Sequence, residues 1–275
     1  MKNIVDVQWL QEHLSQVVVV DATSDFLDEA QGKIKYHHRH LPGAFHMDLD
    51  EDLRGVIGTH GGRHPLPTDM THFAHKLEKI GISNHSMVVV YDEGSMYAAR
   101  FWWMCKYIGL ENVKVLDGGI AAWINAGHEL TTELPQLPTE KGKITVKLQK
   151  ELLADYEDIR AVLAAKTGQT AIVDSRANDR FRGENETVDP KAGHIPGALN
   201  YFFGEVLTED GAYKDAAALQ KHYEALTEYD ELILHCGSGV SGAVNVLALD
   251  EIGVPAKFYV GSWSDYITHE DAVVE

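Results

Sequence analysis

One of the two cysteines in this chain stands in a sequence suited to chemistry. Cys236 follows the apolar run LILH and opens the six-residue loop CGSGVS, and an apolar stretch of helical character then continues to Ile252. We expect a buried strand, a tight loop and a helix. Gly237, Gly239 and Gly242 let the backbone curl so that its N–H groups and the positive end of the helix face the sulfur. This arrangement predicts a lowered pKa for the thiol and a stabilised thiolate or persulfide.

Two other interpretations of this loop are open. In the first, Cys236 is a small buried residue ahead of a turn, as free cysteines often are. In the second, the chain is a cysteine-dependent phosphatase, which also holds its cysteine in a loop before a helix. Such an enzyme needs an arginine after five intervening residues to bind phosphate. That position is Gly242 and the loop has no basic residue, which disfavours phosphatase chemistry.

The elements around Cys236 belong to an internal repeat. Four landmarks recur in the same order in both halves, about 150 residues apart. The first half has VVVVDATS around Asp21, HLPGA from His40, MVVVYDEGS around Asp92 and VLDGGIAAW ending at Trp123. The second half has AIVDSRA around Asp174, HIPGA from His194, LILHCGSGVS around Cys236 and FYVGSWSDY ending at Tyr266. We infer that the chain is a duplication.

The two halves differ at the reactive position. Asp92 is the counterpart of Cys236, and its loop DEGSMY lacks the repeated glycines. A carboxylate cannot accept or release sulfur. The second half is therefore predicted to carry thiol chemistry and the first half to have no catalytic role.

The stretch between the halves is predicted to be an exposed linker, because it is polar and carries Pro135 and Pro138. The predicted organisation is a non-catalytic domain at 1–133, a linker at 134–147 and a catalytic domain at 148–275.

Within each half, short apolar runs rich in β-branched residues alternate with helical periodicity. Strands that are apolar on both faces indicate a parallel sheet covered by helices on both sides. The predicted fold class is α/β, with two tandem domains that each hold a parallel sheet flanked by helices. Asp155 and Asp158 are expected to open a helix that runs through Ala164, as N-cap and first-turn acid.

The composition excludes several classes of partner. A formal net charge of -18 disfavours nucleic acid and anionic membrane surfaces, and we expect neither as a partner. No apolar stretch approaches the roughly 18 residues of a membrane span. The first residues do not have the pattern of an export signal, and two cysteines give no disulfide framework, so a cytoplasmic location is expected. A monomer is the default expectation.

Over nearly its whole length, the chain resembles the tandem form of the rhodanese and 3-mercaptopyruvate sulfurtransferase family. The resemblance rests on CGSGVS from Cys236, the paired HLPGA and HIPGA, VDSRANDRF from Val173, GGRHPLP from Gly61 and GSWSDY from Gly261. It implies two rhodanese-like domains, of which the second is catalytic. It also implies that the Cys236 thiolate takes sulfur from a small anionic donor as a persulfide and passes it to cyanide, a small thiol or a thioredoxin-like protein.

The resemblance extends to further site residues. The loop that binds the persulfide would consist of Gly237, Ser238, Gly239, Val240 and Ser241. Ser238 would polarise the donor carbonyl, supported by His64 and Asp48. Gly and Ser after the cysteine are typical of relatives that use 3-mercaptopyruvate, whereas relatives that use thiosulfate carry basic residues there.

Arg180 matches the arginine that binds the donor anion in the family. Many relatives that use mercaptopyruvate carry a second arginine before the HIPG segment, but this chain has none after Arg182. Arg182, Lys191 or Arg63 are the candidates to replace it. Thiosulfate therefore stays open as the alternative donor, and a non-catalytic sulfur-relay or binding module is the alternative from another functional class.

Several reactive residue types receive structural predictions. Cys105 lies among aromatic neighbours at helical spacing and is predicted to be in the core. His40 and His194 are predicted to hydrogen-bond the backbone of the repeated turn. Asp174 and Arg176 are expected to form a structural ion pair. The histidines at 37, 38, 40, 46, 60, 64, 72 and 75 match no zinc pattern, so no metal and no organic cofactor are expected.

Overall fold

The computed structural model describes all residues 1–275 and contains two compact units. The N-terminal unit comprises 1–55, 67–149 and 209–213, and the C-terminal unit comprises 56–66, 150–208 and 214–275. One short segment of each half of the sequence therefore belongs to the unit formed mainly by the other half, namely 56–66 and 209–213. No helix is both long enough and apolar enough to span a membrane.

The N-terminal unit is built on a five-stranded parallel sheet of order β1-β5-β4-β2-β3. Its strands are Ile4–Val5 (β1), Val18–Asp21 (β2), Phe45–His46 (β3), Val88–Tyr91 (β4) and Val113–Leu116 (β5). Its helices are Val7–His13 (α1), Gln31–His38 (α2), Met70–Lys79 (α3), Met96–Tyr107 (α4) and Gly119–Asn125 (α5), with a 3-10 turn at Leu14–Gln16.

The C-terminal unit repeats this plan with a five-stranded parallel sheet of order β6-β10-β9-β7-β8. Its strands are Leu153–Ala154 (β6), Thr170–Asp174 (β7), Leu199–Asn200 (β8), Glu231–His235 (β9) and Lys257–Tyr259 (β10). Its helices are Tyr156–Ala165 (α6), Asn178–Phe181 (α7), Ala216–His222 (α8), Gly242–Glu251 (α9) and Ser262–Tyr266 (α10), with 3-10 turns at Lys150–Leu152, Phe203–Val206 and Glu224–Glu228.

The two sheets have the same strand order when their strands are matched one to one, which is the outcome expected of a duplication. The central strands are buried on both faces, as their continuous apolar sequences require. β4 is wholly buried, and β9 is buried from Leu232 to His235. The α/β prediction is therefore confirmed for both halves, and the reactive positions Asp92 and Cys236 each directly follow a buried strand.

The local predictions around α6 and α9 are also confirmed. Asp155 caps α6 by accepting from the N–H of Asp158, and the Asp158 side chain returns the contact in a capping box. α9 begins at Gly242, so the loop between it and β9 has the six residues expected. Apart from Asn245 and the final Asp250 and Glu251, α9 is apolar, and it is buried along nearly its full length.

The predicted linker region packs on the N-terminal unit. The N–H of Gly142 donates to the carbonyl of Glu78 at 2.8 Å, and the N–H of Ile144 donates to the Glu78 carboxylate at 2.7 Å. Further along, Lys147 donates to the carbonyl of Ile108 at 3.0 Å. Backbone hydrogen bonds thus tie this stretch to one unit.

Candidate active site

The loop around Cys236 depends on one glycine in the left-handed region. Cys236 is 1% exposed and sits between the end of β9 and the start of α9. Gly239 has φ of +76°, and a Cβ added there would lie 2.1 Å from the carbonyl oxygen of Val260. Any side chain at this position would collide with backbone, so the turn that curls the loop requires glycine.

The corresponding loop of the N-terminal unit surrounds a carboxylate with backbone N–H groups. The carboxylate of Asp92 follows β4 and accepts hydrogen bonds from four backbone N–H groups. Two of them, from Gly94 at 3.0 Å and from Ser95, reach one oxygen, and those of Tyr97 at 2.8 Å and Ala98 at 3.1 Å reach the other. The loop and the first turn of α4 therefore enclose an acidic side chain in a cradle of N–H groups.

The two loops share their backbone conformation at the decisive position. Ser95, the third residue after Asp92, has φ of 68°, and Gly239, the third residue after Cys236, has φ of +76°. In the C-terminal unit the N–H groups of Ser238 and Ser241 stand where Gly94 and Tyr97 stand in the other loop. They make no hydrogen bond within the protein. Ser238 is buried and Ser241 is partly buried. N–H groups that lack a partner away from water are costly, so this loop is suited to receive an anion.

Ser262 holds the cysteine in place from the start of α10. Its Oγ accepts from the N–H of Cys236 at 3.1 Å, donates to the carbonyl of Tyr259 at 3.0 Å and lies 3.8 Å from the Cys236 Sγ. The N–H groups of Trp263 and Ser264 then donate to the carbonyls of Cys236 at 3.0 Å and Gly237 at 2.8 Å. Ser262 was not among the predicted site residues, although it lies in the motif GSWSDY.

Two arginines lie over the residue next to the cysteine. A Cβ added to Gly237 would be 3.5 Å from both Nη atoms of Arg180 and 3.5 Å from Nη2 of Arg63. We call Arg63 and Arg180 the arginine pair. Nη1 of Arg180 and Nη2 of Arg63 donate no hydrogen bond within the protein, so each guanidinium keeps donors free beside the loop.

Two buried acids neutralise the arginine pair. The Glu186 carboxylate accepts hydrogen bonds from Nε and Nη2 of Arg180 at 2.9 to 3.2 Å. One oxygen of Asp189 accepts from Nη1 of Arg63 and the other from Nη2 of Arg180 at 3.1 Å. Burial raises the pKa of Asp189. Burial also opposes ionisation of Glu186, but the N–H of Asp189 and the Arg180 side chain leave the pKa of Glu186 lowered.

Behind the loop, the Asp174–Arg176 ion pair is confirmed as a structural feature. Nε and Nη2 of Arg176 donate to the Asp174 carboxylate at 2.7 to 3.1 Å, and the guanidinium stacks 4.6 Å over the Trp263 ring. The His235 ring lies beside this pair, with Nε2 3.6 Å from Asp174. Burial lowers the pKa of His235, so the ring is neutral at neutral pH.

The other candidates for the second donor arginine lie in different settings. Arg182 is half exposed and pairs with Glu184 at 2.7 Å. Lys191 is exposed, and its carbonyl accepts from the indole N–H of Trp263 at 2.9 Å. Of the three candidates, only Arg63 is among the nearest neighbours of Gly237.

The three residues assigned to carbonyl polarisation fall in two units. Ser238 is buried in the loop. His64 is half-buried and belongs to the same unit. Asp48 belongs to the N-terminal unit, where its carboxylate accepts from the N–H groups of Asp50 at 2.8 Å and Glu51 at 3.1 Å. Burial raises the pKa of Asp48, and the roles of these three residues stay predictions.

The core prediction for Cys105 is confirmed, whereas the rings of His40 and His194 bond backbone in the preceding helices and not in the repeated turns. Cys105 is fully buried in α4, and burial raises the pKa of its thiol. Nδ1 of His40 bonds the carbonyl of Tyr36 at 2.7 Å, and Nδ1 of His194 bonds the carbonyl of Phe181 at 2.9 Å.

One histidine cluster has the residue types of a metal site. Ligand atoms of His60, Asp265 and His269 lie within 4.8 Å of one another. The two imidazoles are stacked, with centroids 4.3 Å apart and planes inclined by 15°. A ring nitrogen binds metal in the plane of its ring, so two parallel stacked rings do not converge on one ion. The Asp265 carboxylate instead accepts from the N–H of Gly61 and from the Tyr259 hydroxyl.

Comparison with known proteins assigns the family. The model of the rhodanese-like domain matches residues 6–126 and again 156–269. A probable 3-mercaptopyruvate sulfurtransferase of Pseudomonas aeruginosa is 40% identical over 276 residues, covering 95% of this chain and 93% of the relative. A putative thiosulfate sulfurtransferase of Mycobacterium tuberculosis is 38% identical over 243 residues, covering 87% and 84%.

Among solved structures, a 3-mercaptopyruvate sulfurtransferase from Leishmania major is 26% identical with a TM-score of 0.82, covering 96% of this chain and 74% of that one. The SseA crystal structure from Escherichia coli, described as having the rhodanese fold, is 30% identical with a TM-score of 0.79, covering 96% and 100%. With both of its halves matched by the same domain model, the chain belongs to the rhodanese family of sulfurtransferases.

Proposed function

We propose that this protein transfers sulfur from 3-mercaptopyruvate to cyanide or a thiol through a persulfide on Cys236. The Cys236 thiolate attacks the donor sulfur, the carbon–sulfur bond breaks, and the carbon fragment leaves as the enolate of pyruvate, which then takes up a proton. The acceptor attacks the outer sulfur of the persulfide and restores the thiolate. Nucleophile and carrier are the same sulfur atom, so the cycle needs no cofactor.

The observation that carries this proposal is the paired loop of the N-terminal unit. There the cradle of N–H groups holds the Asp92 carboxylate, and the matching loop places a cysteine at its centre. A loop whose N–H groups donate to a carboxylate can also donate to a thiolate or to the outer sulfur of a persulfide, because both are anions. The free N–H groups of Ser238 and Ser241 are the donors available to that anion.

The arginine pair supports an anionic donor. Arg63 and Arg180 each keep donors free beside Gly237, next to the reacting sulfur. A carboxylate has two oxygens, and we assign one to each guanidinium. The Ser238 hydroxyl then faces the donor carbonyl, with His64 and Asp48 in supporting roles carried over from the family resemblance.

Thiosulfate is the second candidate donor. In favour of it, the arginine pair also suits sulfonate oxygens, and the relative from Mycobacterium tuberculosis carries that name. Against it, the loop has Gly237 and Ser238 in place of basic residues, and Glu186 and Asp189 balance the two arginine charges. A locally neutral site favours a donor of lower charge. A non-catalytic relay or binding module is the third candidate and requires an unreactive Cys236.

We propose a reducing, cytoplasmic setting and a small thiol or a thioredoxin-like protein as acceptor. Both cysteines are free, and persulfide turnover requires Cys236 to stay reduced between cycles. A monomer suffices because Cys236, Ser262 and the arginine pair all belong to one unit of one chain.

The test compares 3-mercaptopyruvate and thiosulfate as donors to cyanide, for the wild type and Cys236→Ser. We expect activity with both donors in the wild type, a higher kcat/KM for 3-mercaptopyruvate, and none in the variant. A higher kcat/KM for thiosulfate would reverse the donor assignment. Inactivity of the wild type with both donors, together with an unreactive Cys236, would leave the binding module.

A further inference from the structure

Asp189 links the two arginines that face the reactive loop. Its side chain is 1% exposed, and each carboxylate oxygen accepts from a different guanidinium, Oδ1 from Arg63 and Oδ2 from Arg180. These contacts leave Nη2 of Arg63 and Nη1 of Arg180 without a protein partner beside Gly237. A buried carboxylate with one cation on each oxygen fixes the spacing between the two cations.

The two arginines depend on Asp189 to different degrees. Glu186 holds Arg180 along a whole edge of its guanidinium without using the Asp189 side chain. Arg63 has no other acid partner, and its side chain is 35% exposed. Its backbone N–H is fixed on Ser264 at 3.1 Å, but several rotatable bonds separate that anchor from the guanidinium. Without Asp189 a long, partly exposed side chain would lose its preferred position.

We propose that Asp189 is a specificity-determining positioning residue that holds Arg63 over Gly237 and so makes it the second donor-binding arginine. This proposal rests on the proposed function. Many relatives carry a second arginine before the HIPG segment, and this chain has the carboxylate of Asp189 in that segment. The carboxylate binds Arg63, which comes from the segment 56–66. The ligand class is a small anion with at least two oxygens, such as a carboxylate or sulfonate.

The test measures how Cys236 reacts with two alkylating agents of equal size and different charge. Iodoacetate is an anion, and iodoacetamide is its neutral counterpart. The ratio of their rates reports attraction of an anion to the site and cancels changes in thiol reactivity. Cys236→Ser provides the blank for any reaction at the buried Cys105.

The variants are Arg63→Ala, Asp189→Asn and the double variant, with Glu228→Gln as an exposed control that removes one negative charge from the same unit. We expect each single variant to lower the iodoacetate-to-iodoacetamide ratio about tenfold, the size of one lost charge-assisted hydrogen bond. The double variant should lose no more than Arg63→Ala alone, since Asp189 acts through Arg63. The control should keep the wild-type ratio.

The opposing results are distinct. A ratio that stays constant or rises in Asp189→Asn would show that Asp189 only competes with the donor for the arginines. Additive losses in the double variant would show that it does not act through Arg63. If Asp189→Asn is judged unfolded from its Tm, an unchanged iodoacetate-to-iodoacetamide ratio in Arg63→Ala is sufficient to overturn the proposal. Alkylation requires no sulfur transfer, so these outcomes are separate from failure of the proposed function.

Discussion

Replacing Gly237 with alanine tests where the donor binds. The added methyl group would lie 3.5 Å from three nitrogens of the arginine pair, an ordinary contact distance that strains neither backbone nor side chains. Gly237 does not have a positive φ, so alanine can adopt its backbone conformation. We therefore expect a change in unfolding free energy within about 0.5 kcal/mol.

The same methyl group occupies the space in which a donor oxygen would approach these nitrogens. A hydrogen bond requires an oxygen about 2.9 Å from each nitrogen, so donor and methyl group compete for one position. Each charge-assisted hydrogen bond contributes about 1.5–3 kcal/mol. Because both arginines are partly exposed, we take the lower value, and the loss of two bonds then lowers kcat/KM by about 150-fold.

The assay for Gly237→Ala is steady-state sulfur transfer to cyanide, with iodoacetamide alkylation of Cys236 as the control for an intact nucleophile. We expect the large loss in kcat/KM, with alkylation by the neutral reagent within about twofold of wild type. Wild-type kcat/KM in a folded variant would refute the assignment of the donor to the face of Gly237. Equal losses in transfer and in neutral alkylation would show damage to the loop itself.

Three further substitutions test the supporting structure. Gly239→Ala should destabilise the protein by about 2–4 kcal/mol in urea unfolding. The residue has a left-handed backbone conformation, and the added Cβ would lie 2.1 Å from the Val260 carbonyl oxygen. Near-wild-type stability would contradict the loop geometry. Ser262→Ala should lower the unfolding free energy by about 1–3 kcal/mol and slow sulfur transfer, since it removes a hydrogen-bond partner from two buried backbone groups. Full activity would rule out its positioning role. The lowered pKa of His235 means that the unfolded chain binds a proton more readily than the native state, so wild-type stability should fall as the pH drops below about 6.5. His235→Gln should flatten this dependence between pH 7.5 and 5.5 in urea titrations, and an unchanged slope would assign the effect to other groups.

Much of the fold could be predicted from the sequence, because each landmark of the repeat occurs in both halves and one half supports the interpretation of the other. The apolar runs Met87 to Val90 and Leu232 to Leu234 predicted buried parallel strands, and both units have the same strand order. The Asp155 capping box was predictable because it involves only residues three apart. The observed strand β4 begins and ends one residue later than its predicted run, and β9 is one residue longer at each end. Apolar character does not fix where hydrogen bonding ends.

The parts that sequence analysis missed depend on contacts between distant residues. Ser262 approaches Cys236 only because β10 lies beside β9, and Asp189 reaches Arg63 across more than a hundred residues. The absence of a second arginine after Arg182 was visible in the sequence, but the ion pair of Asp189 with Arg63 was not. The cradle around Asp92 needed the structure as well, because N–H directions cannot be read from residue types.

The most direct test of the account is intact-mass and peptide mass spectrometry after exposure to 3-mercaptopyruvate without an acceptor. We predict that the peptide containing Cys236 gains the mass of one sulfur atom, that cyanide removes this mass, and that Cys236→Ser gains nothing. A wild type that turns over donor without this mass gain, or a variant that still gains it, would contradict the assignment of Cys236 as the sulfur carrier.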